Sequence, residues 1–243
     1  MRSPTSAFAW LLFALPFAAM AATPLEIWPA GNVAPQGAEA GGLPRALQPA
    51  VRFQKIFLKI LAGEKPGVWR ADMEAFCNQP AETPLAAGLC EVARVWIARA
   101  QMEEISALLH GYYRRNIRFP ATLAEVGQLP PSLQKDPWGG TWSYSPLAPQ
   151  GFSKLAGQRY QLGPARFPKL ATLSEAVSER APPPPAWVVT PREVAGSTAL
   201  EFRSGKSTAV IQPGGGTEGC TLLFIGDKWA LLAGLDKLFA IGF

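Results

Sequence analysis

The stretch that decides the fold is residues 105–144, which read ISALLHGYYRRNIRFPATLAEVGQLPPSLQKDPWGGTWSY. An amphipathic helix ends in the pair Tyr112 and Tyr113, and a turn at Phe119-Pro120 follows it. A short apolar segment then leads to Asp136-Pro137-Trp138-Gly139, after which aromatic residues alternate with smaller ones. This order predicts a helix, a short connection and a β-strand that covers the helix.

The Asp136 motif has the residue chemistry of a tight turn. Pro137 fixes one backbone angle and lacks an N–H, while Gly139 and Gly140 permit turning geometry. We expect Asp136 to accept a hydrogen bond from a nearby backbone amide in an Asx-type turn. The alternation predicts that one face of the following strand carries Trp138, Trp142 and Tyr144.

A long helix is predicted over residues 85–116. One stripe of apolar residues recurs every three or four positions, so it must face a sheet or another helix. This stripe consists of Val95, Ala98, Met102, Ile105, Leu109 and Tyr112. The charged residues, expected largely on the other faces, are Glu91, Arg94, Arg99, Glu103 and Arg115.

These motifs in this order resemble the soluble part of the type II secretion pseudopilins, above all the major pseudopilin. In that family a long helix ending in Tyr leads to a Tyr-Pro turn, a Leu-rich short helix and a Lys-Asp-Pro-Trp-Gly segment, which Lys135 completes here. The sequence Tyr160-Gln161-Leu162-Gly163-Pro164 is similar to the family's strand that ends in a Leu-Gly-Pro turn. The resemblance implies an α+β fold in which the long helix packs on a small antiparallel sheet.

Two departures from the family pattern shape the expectation. Pseudopilins of this type commonly hold calcium with acidic side chains in the loop after that strand, whereas residues 165–169 contain no carboxylate. Because calcium needs six to eight oxygen ligands, we expect no metal site. Pseudopilins also begin with a basic leader ending in Gly and an apolar helix with Glu at its fifth position. No such segment is seen here, so the chain is not expected to polymerise.

The N-terminus has the pattern of a secretory signal peptide over residues 1–21. Arg2 precedes an apolar run at residues 7–19, which ends in the A-x-A site Ala19-Met20-Ala21. The prediction is a periplasmic protein, with an uncleaved anchor in the inner membrane, facing the periplasm, as the alternative. Membrane contact is expected only in that alternative. An extended segment rich in Pro, Gly and Ala is expected over residues 22–49.

A helical region precedes the long helix. Phe53, Ile56, Phe57 and Ile60 share one face of a helix predicted over residues 50–62, and a shorter helix is predicted over residues 69–77. The first helix either packs on a neighbouring helix or lies on a membrane surface.

The cysteines fit an exported protein. A bond between Cys77 and Cys90 would close a loop of about 14 residues, which predicts a disulfide worth on the order of 3 kcal/mol. The alternative is two buried thiols. Cys220 precedes an apolar run and is expected in a core.

Composition and charge exclude several classes of function. The net charge of +5 on 243 residues is spread out, and the only tight basic cluster is Arg114, Arg115 and Arg118. A nucleic-acid reader shows a denser basic stripe with stacking aromatics, so no nucleic-acid partner is expected. The single histidine, His110, has no nucleophile near it in sequence, and Gly214-Gly215-Gly216 lacks the Lys-Ser/Thr of a phosphate loop. We therefore predict no enzyme activity and no cofactor.

A second boundary is predicted at residues 171–186, where Pro182-Pro183-Pro184-Pro185 favours a stiff spacer. The helical region and pseudopilin-like domain would then occupy residues 50–170, and a small all-β module residues 187–243. Strands are predicted at 187–190, 198–203, 207–212, 221–225, 229–233 and 237–241. The module resembles the periplasmic homology region of the type II secretion clamp proteins, which implies binding through sheet edges and apolar surface.

The resemblances together imply a non-enzymatic periplasmic component or accessory of a type II secretion or type IV pilus-like system. The expected partners are secretion or pilus machinery proteins, namely a secretin or pseudopilins. The alternative is a stand-alone periplasmic binding or inhibitory protein that uses a pseudopilin-like fold.

Overall fold

The computed structural model describes residues 47–147, 159–178, 187–205, 207–226 and 229–243. It combines helices with small antiparallel sheets, as the α+β prediction requires. The described helices are α1 (Gln48–Leu61), α2 (Pro66–Cys77), α3 (Pro84–Asn116) and α4 (Leu173–Ser178). The predicted leader at 1–21, nearly all of the extended segment at 22–49 and the proline run at 182–185 lie outside the described residues.

Local sequence explains where the first three helices begin. Each of them has proline in its first turn, where a missing N–H costs no helical hydrogen bond. Helix α3 is also capped by Thr83, whose Oγ1 accepts from the Ala86 N–H at 3.1 Å. These helices lie close to the predicted ones. None of the described helices is both long and apolar enough to cross a membrane.

The strands form three antiparallel sheets. A hairpin pairs β1 (Trp142–Leu147) with β2 (Arg159–Pro164). A three-stranded sheet has the order β3-β4-β5, with β3 at Val188–Val194, β4 at Ser197–Ser204 and β5 at Ser207–Ile211. A four-stranded sheet has the order β6-β7-β8-β9, with strands at Gly216–Thr217, Cys220–Ile225, Trp229–Ala233 and Leu238–Gly242. The two-residue strand β6 was not predicted.

Helix α3 is buried on two sides. The predicted stripe, from Val95 to Leu109, packs with Leu133, Leu162 and the aromatic side chains of the β1–β2 hairpin. The other side of its N-terminal half packs against α1, α2 and α4. Trp96 lies at the centre of this second contact, with its ring centroid 5.3 Å from that of Phe57. The helix therefore links two cores.

The four-stranded sheet lies between the helices and the three-stranded sheet. On one face Leu223, Leu231 and Leu238 join the core of the helices. On the other face a second set of side chains packs against the three-stranded sheet. This set is Cys220, Leu222, Ala230, Leu232, Phe239 and Ile241. The helices and the C-terminal strands therefore share a core, and the predicted boundary at 171–186 does not separate two cores.

Four expectations need correction. Residues 173–178 of the predicted spacer form α4, because Leu173 and Ala176 are buried against the other helices. Trp138 lies in the turn before β1 and not on the strand. Arg99 is buried instead of lying off the core. The apolar face of α1 is buried too, which removes the membrane-surface alternative for that helix.

Candidate functional site

The residues singled out by the sequence fall into two groups along α3. Tyr112, Tyr113 and Pro120 lie at its C-terminal end, while the Asp136 turn packs beside Glu91 near its N-terminal end. Because a helix rises 1.5 Å per residue, Glu91 and Tyr112 are about 30 Å apart along the helix axis. The structure therefore does not join the two groups into one site.

The C-terminal group is held by hydroxyl hydrogen bonds and ring contacts. The Tyr112 hydroxyl donates to Glu125 Oε2 at 3.0 Å, and the Tyr144 hydroxyl donates to the carbonyl of Pro120 at 2.8 Å. Burial raises the pKa of Tyr144 to about 12, which keeps that hydroxyl a donor. The Tyr113 ring lies 4.9 Å from the ring of Phe119.

The Asp136 turn is built on one carboxylate oxygen. Asp136 Oδ1 accepts from the Trp138 N–H at 2.9 Å and from the Gly140 N–H at 2.7 Å. The Gly139 N–H donates to the Asp136 carbonyl at 2.9 Å, and Gly139 has φ of 79°, a left-handed value that suits glycine. Asp136 itself is buried. This is the Asx-type turn that the sequence predicts.

Glu91 connects this turn to α3. Its Oε2 accepts from Trp138 Nε1 at 2.9 Å and from an Arg166 Nη at 3.0 Å, and its Oε1 accepts from an Arg94 Nη at 2.5 Å. Partial burial raises the pKa of Glu91, but the hydrogen bonds from Trp138 and Arg94 and the two arginine charges outweigh it and hold the pKa below its usual value. Glu91 is therefore a charged acceptor that connects α3 with the Asp136 turn and with the segment after β2.

The two N-terminal cysteines meet next to Glu91. The Cys77 thiol donates to the Cys90 carbonyl at 3.3 Å, and the Cys90 thiol donates to the Cys77 carbonyl at 3.8 Å. Both are free thiols in this structure. The neighbouring Cys90 thiol, followed by burial, raises the pKa of Cys77. The Cys77 thiol, together with the charge of Arg94, lowers the pKa of Cys90. The predicted disulfide stays a prediction, with its partners already adjacent.

Two clefts open on either side of the thiol pair. One, of about 520 Å³, lies between the α2–α3 connection and the four-stranded sheet, and its walls include Cys77, Cys90, Glu91, Arg94 and Thr221. The other, of about 510 Å³, lies on the side of α1, and its walls include Arg52, Phe76, Glu82 and Cys90. Cys90 therefore borders both clefts.

The chemistry available at this site is that of a dithiol with charged neighbours. The chain's only histidine, His110, is exposed and packs edge-on against Phe119 and Tyr160, far along α3 from Cys90. Within the described residues, no three acidic, cysteine or histidine side chains converge to hold a metal ion. No cysteine–histidine pair is therefore formed in this part of the chain.

The C-terminal strands offer a second candidate site, the outer edge of β5, on which no further strand pairs among the described residues. In the three-stranded sheet, β3 and β5 are both edge strands. The β3 edge carries Pro191, Arg192 and Glu193, which discourage pairing with another strand. The β5 sequence Ser-Thr-Ala-Val-Ile has neither proline nor charge, and its Val210 is 49 % exposed. The two edges therefore differ in their readiness to accept a partner strand.

Register indicates which β5 groups face outwards. Ser204 pairs with Ser207 across a two-residue turn, so this pair exchanges backbone hydrogen bonds within the hairpin. Because such pairs alternate along a ladder, the N–H and C=O groups of Thr208 and Val210 point to the outer edge.

Two residues that bond distant segments together were not identified from the sequence. Glu91 is expected off the core, and two of its three donors, Trp138 and Arg166, lie far from it in sequence. Arg99 donates to the Ala171 carbonyl at 3.1 Å and to Asp236 Oδ2 at 2.5 Å. The signal for Arg99 was available, because its neighbours on the helix face, Val95, Trp96 and Met102, are apolar and a charge in such a setting must be paired.

Comparison of the chain with protein-family models, with curated proteins and with solved structures finds no match.

Proposed function

We propose that the protein is a non-enzymatic periplasmic component or accessory of a type II secretion or type IV pilus-like system, and that it acts through protein–protein contacts. The observation that carries the proposal is the order of elements over residues 84–164. A long helix ending in tyrosines, a Phe-Pro turn, short helical turns and a Lys-Asp-Pro-Trp-Gly turn lead into a hairpin that packs on the helix. This is the order that the pseudopilin resemblance implies.

The contacts of the motif residues support a pseudopilin-like role for this part of the chain. Trp138 bonds to Glu91 of α3 and Tyr144 bonds to Pro120 in the turn after α3, while Asp136 closes the turn before the hairpin. The hydrogen bonds of these side chains are made within the chain, which suits a scaffold that presents other surfaces to partner proteins. We place the partner-binding surface on the C-terminal strands.

Strand addition at the β5 edge is the proposed mode of contact. An extended segment of a secretin or pseudopilin would pair with the outward groups of Thr208 and Val210, and its side chains would lie beside Val210. The β3 edge would not serve, because Pro191 lacks an N–H and charged side chains follow it.

A matched pair of variants tests this proposal. Val210→Lys and Val194→Lys place the same charge on edge strands at similarly exposed positions, 49 % and 41 %, but only the first lies on β5. The measurement is binding of the full chain to the purified periplasmic domains of the secretin and of each pseudopilin from the same cell. We expect Val210→Lys to weaken binding about tenfold, equivalent to about 1.4 kcal/mol, and Val194→Lys to leave it unchanged.

Two results would overturn parts of the proposal. If the native chain binds none of these domains, the secretion role is wrong and the stand-alone binding protein is the better account. If both variants bind as the native chain does, the secretion role stands and the β5 edge is wrong.

A further inference from the structure

The C-terminal end of α3 carries an exposed aliphatic side chain on a strained backbone. Ile117 follows the last helical residue with φ of 57°, in the left-handed region, and it is 73 % exposed. Left-handed geometry is unfavourable for a β-branched residue, and glycine or asparagine normally takes this position. Fold stability alone therefore does not account for isoleucine here, and strain of this kind clusters at binding sites.

Three arginines lie close to this residue in sequence. Arg114 and Arg115 belong to the last turn of α3, and Arg118 follows Ile117; all three are exposed. Arg118 lies 3.7 Å from Glu125, the acidic partner of this group in the described chain, whose carboxylate also accepts from Tyr112 and Ala121. The group thus carries three positive charges, of which Arg118 pairs with Glu125, and this leaves a surplus of positive charge.

Helix capping explains only part of this surplus. Cations in the last turn stabilise a helix C-terminus, which gives Arg114 and Arg115 a structural role. Arg118 lies beyond that turn, and helix capping explains neither Arg118 nor the exposure of Ile117. The residue after Arg118 is Phe119, whose ring lies 4.9 Å from that of Tyr113 and edge-on at 4.7 Å to that of Tyr160, so aromatic contacts hold the chain just after these four residues. We call Arg114, Arg115, Ile117 and Arg118 the α3 tip.

We propose that the α3 tip docks on an anionic membrane surface, with Ile117 inserted among the lipid headgroups and the arginines beside their phosphates. A stable protein interface buries about 800 Å² on each partner around several apolar side chains, whereas the α3 tip offers one. A lipid surface needs no matching shape, and basic residues with one inserted apolar group bind it reversibly. The net charge of +5 favours approach to such a surface.

This inference does not depend on the secretion role. The sequence predicts membrane contact through an uncleaved leader or, as an alternative, through the first helix, whereas the α3 tip would bind lipid by itself. It would hold the protein at one of the membranes that enclose the periplasm.

The test is co-sedimentation of the full chain with vesicles of phosphatidylcholine and phosphatidylglycerol, compared with vesicles of phosphatidylcholine alone. Any binding by other segments is common to all variants. Arg114→Glu with Arg115→Glu is expected to weaken binding to the anionic vesicles by about fivefold or more for each arginine. Lys55→Glu with Lys169→Glu removes the same charge at exposed positions elsewhere and is expected to have a much smaller effect.

A glycine variant separates binding from folding. Ile117→Gly relieves the left-handed strain, so its melting temperature should equal or exceed that of the native chain. Its binding to anionic vesicles should fall about tenfold, because the inserted side chain is lost. Ala195→Gly relieves the same kind of left-handed strain, at φ of 52° in the β3–β4 turn. This variant should bind vesicles as the native chain does.

The proposal is wrong if the α3 tip variants bind anionic vesicles as tightly as the native chain. It is also wrong if they bind vesicles normally but lose a secretin or pseudopilin domain, because the α3 tip is then a protein interface. Vesicle binding is measured with no secretion protein present, so its failure and the failure of the proposed function are distinguishable.

Discussion

At the scale of single residues, Asp136 acts as an acceptor that closes a turn. Its Oδ1 receives the N–H groups of Trp138 and Gly140, and the side chain is buried. Asp136→Ala leaves both N–H groups without this acceptor, so we expect urea unfolding to show a loss of about 1–3 kcal/mol. Asp136→Asn keeps an acceptor oxygen and should lose much less. Equal losses in the two variants would show that the charge matters and not the acceptor.

Arg99 is the residue whose removal should cost most. Its side chain is 2 % exposed, it bonds to Asp236, and it lies 4.5 Å over the ring of Trp96. Removing one partner of a buried ion pair typically costs about 3–5 kcal/mol, which is the loss we expect for Arg99→Met in chemical denaturation. The exposed Arg115→Met should change stability by less than about 0.5 kcal/mol.

A double variant tests whether the loss of the ion pair explains the effect of replacing Arg99. Arg99→Met combined with Asp236→Leu leaves no charge behind, so the double variant should be more stable than Arg99→Met alone. A double variant less stable than the single one would instead assign the effect to packing around Trp96.

At the scale of elements, the contact of α3 with the four-stranded sheet requires a glycine. A Cβ on Gly88 would lie 2.2 Å from Cδ2 of the buried Leu223. Gly88→Ala should therefore destabilise the protein, since overpacking costs about 1–3 kcal/mol and exceeds the gain in helix propensity. Gly111→Ala in the same helix meets open space and should stabilise by about 0.5–1 kcal/mol.

Thermal unfolding of both glycine variants checks this contact. In a Leu223→Ala background the same Gly88→Ala change should become neutral or stabilising, because the space is freed. If Gly88→Ala stabilises the native chain as Gly111→Ala does, the sheet does not pack this closely on α3.

The thiol pair predicts a redox-dependent link between α2 and α3. Oxidation should join Cys77 to Cys90 and close a loop of about 14 residues, which should raise the free energy of unfolding by about 3 kcal/mol. Peptide mapping without reductant identifies the bond, and the reduced native protein is the stability control. A bond to the buried Cys220, or equal stability of oxidised and reduced protein, would contradict this prediction.

Elements with a strong local pattern could be predicted from the sequence. Proline in the first turn and apolar spacing locate α1, α2 and α3, and turn residues separate all strands except the two-residue β6. The Asx-type turn at Asp136 also follows from residue types alone. Trp138 was misassigned because Pro137 and Gly139 delay the start of the strand until Trp142.

Contacts between distant segments could not be predicted in the same way. Glu91 meets Trp138 and Arg166, and Arg99 meets Asp236, across separations that no local pattern encodes. The burial of both faces of the four-stranded sheet did leave a signal in the sequence. The adjacent leucines Leu222-Leu223 and Leu231-Leu232 place apolar residues on both faces of β7 and β8, which is typical of a sheet covered on both sides.

At the scale of the whole molecule, α3 connects the hairpin core to the core shared with the C-terminal strands. The Trp96 indole N–H donates to the Asp236 carbonyl at 3.0 Å, and Arg99 bonds to the same residue, so the β8–β9 turn is fixed to the helix. The β5 edge belongs to the outer sheet, which packs on the four-stranded sheet and through it on the helices. The proposed partner-binding edge is thus supported by packing that is continuous, through the four-stranded sheet, with that of the helices.

The central claim is that the protein serves a secretion system through the β5 edge. The most direct measurement is the amount of type II-exported protein that reaches the medium in cells lacking this chain, complemented with native, Val210→Lys or Val194→Lys forms at equal abundance. We expect exported proteins to accumulate in the periplasm without the chain, native and Val194→Lys to restore export, and Val210→Lys to fail. Equal export with and without the chain would contradict the claim.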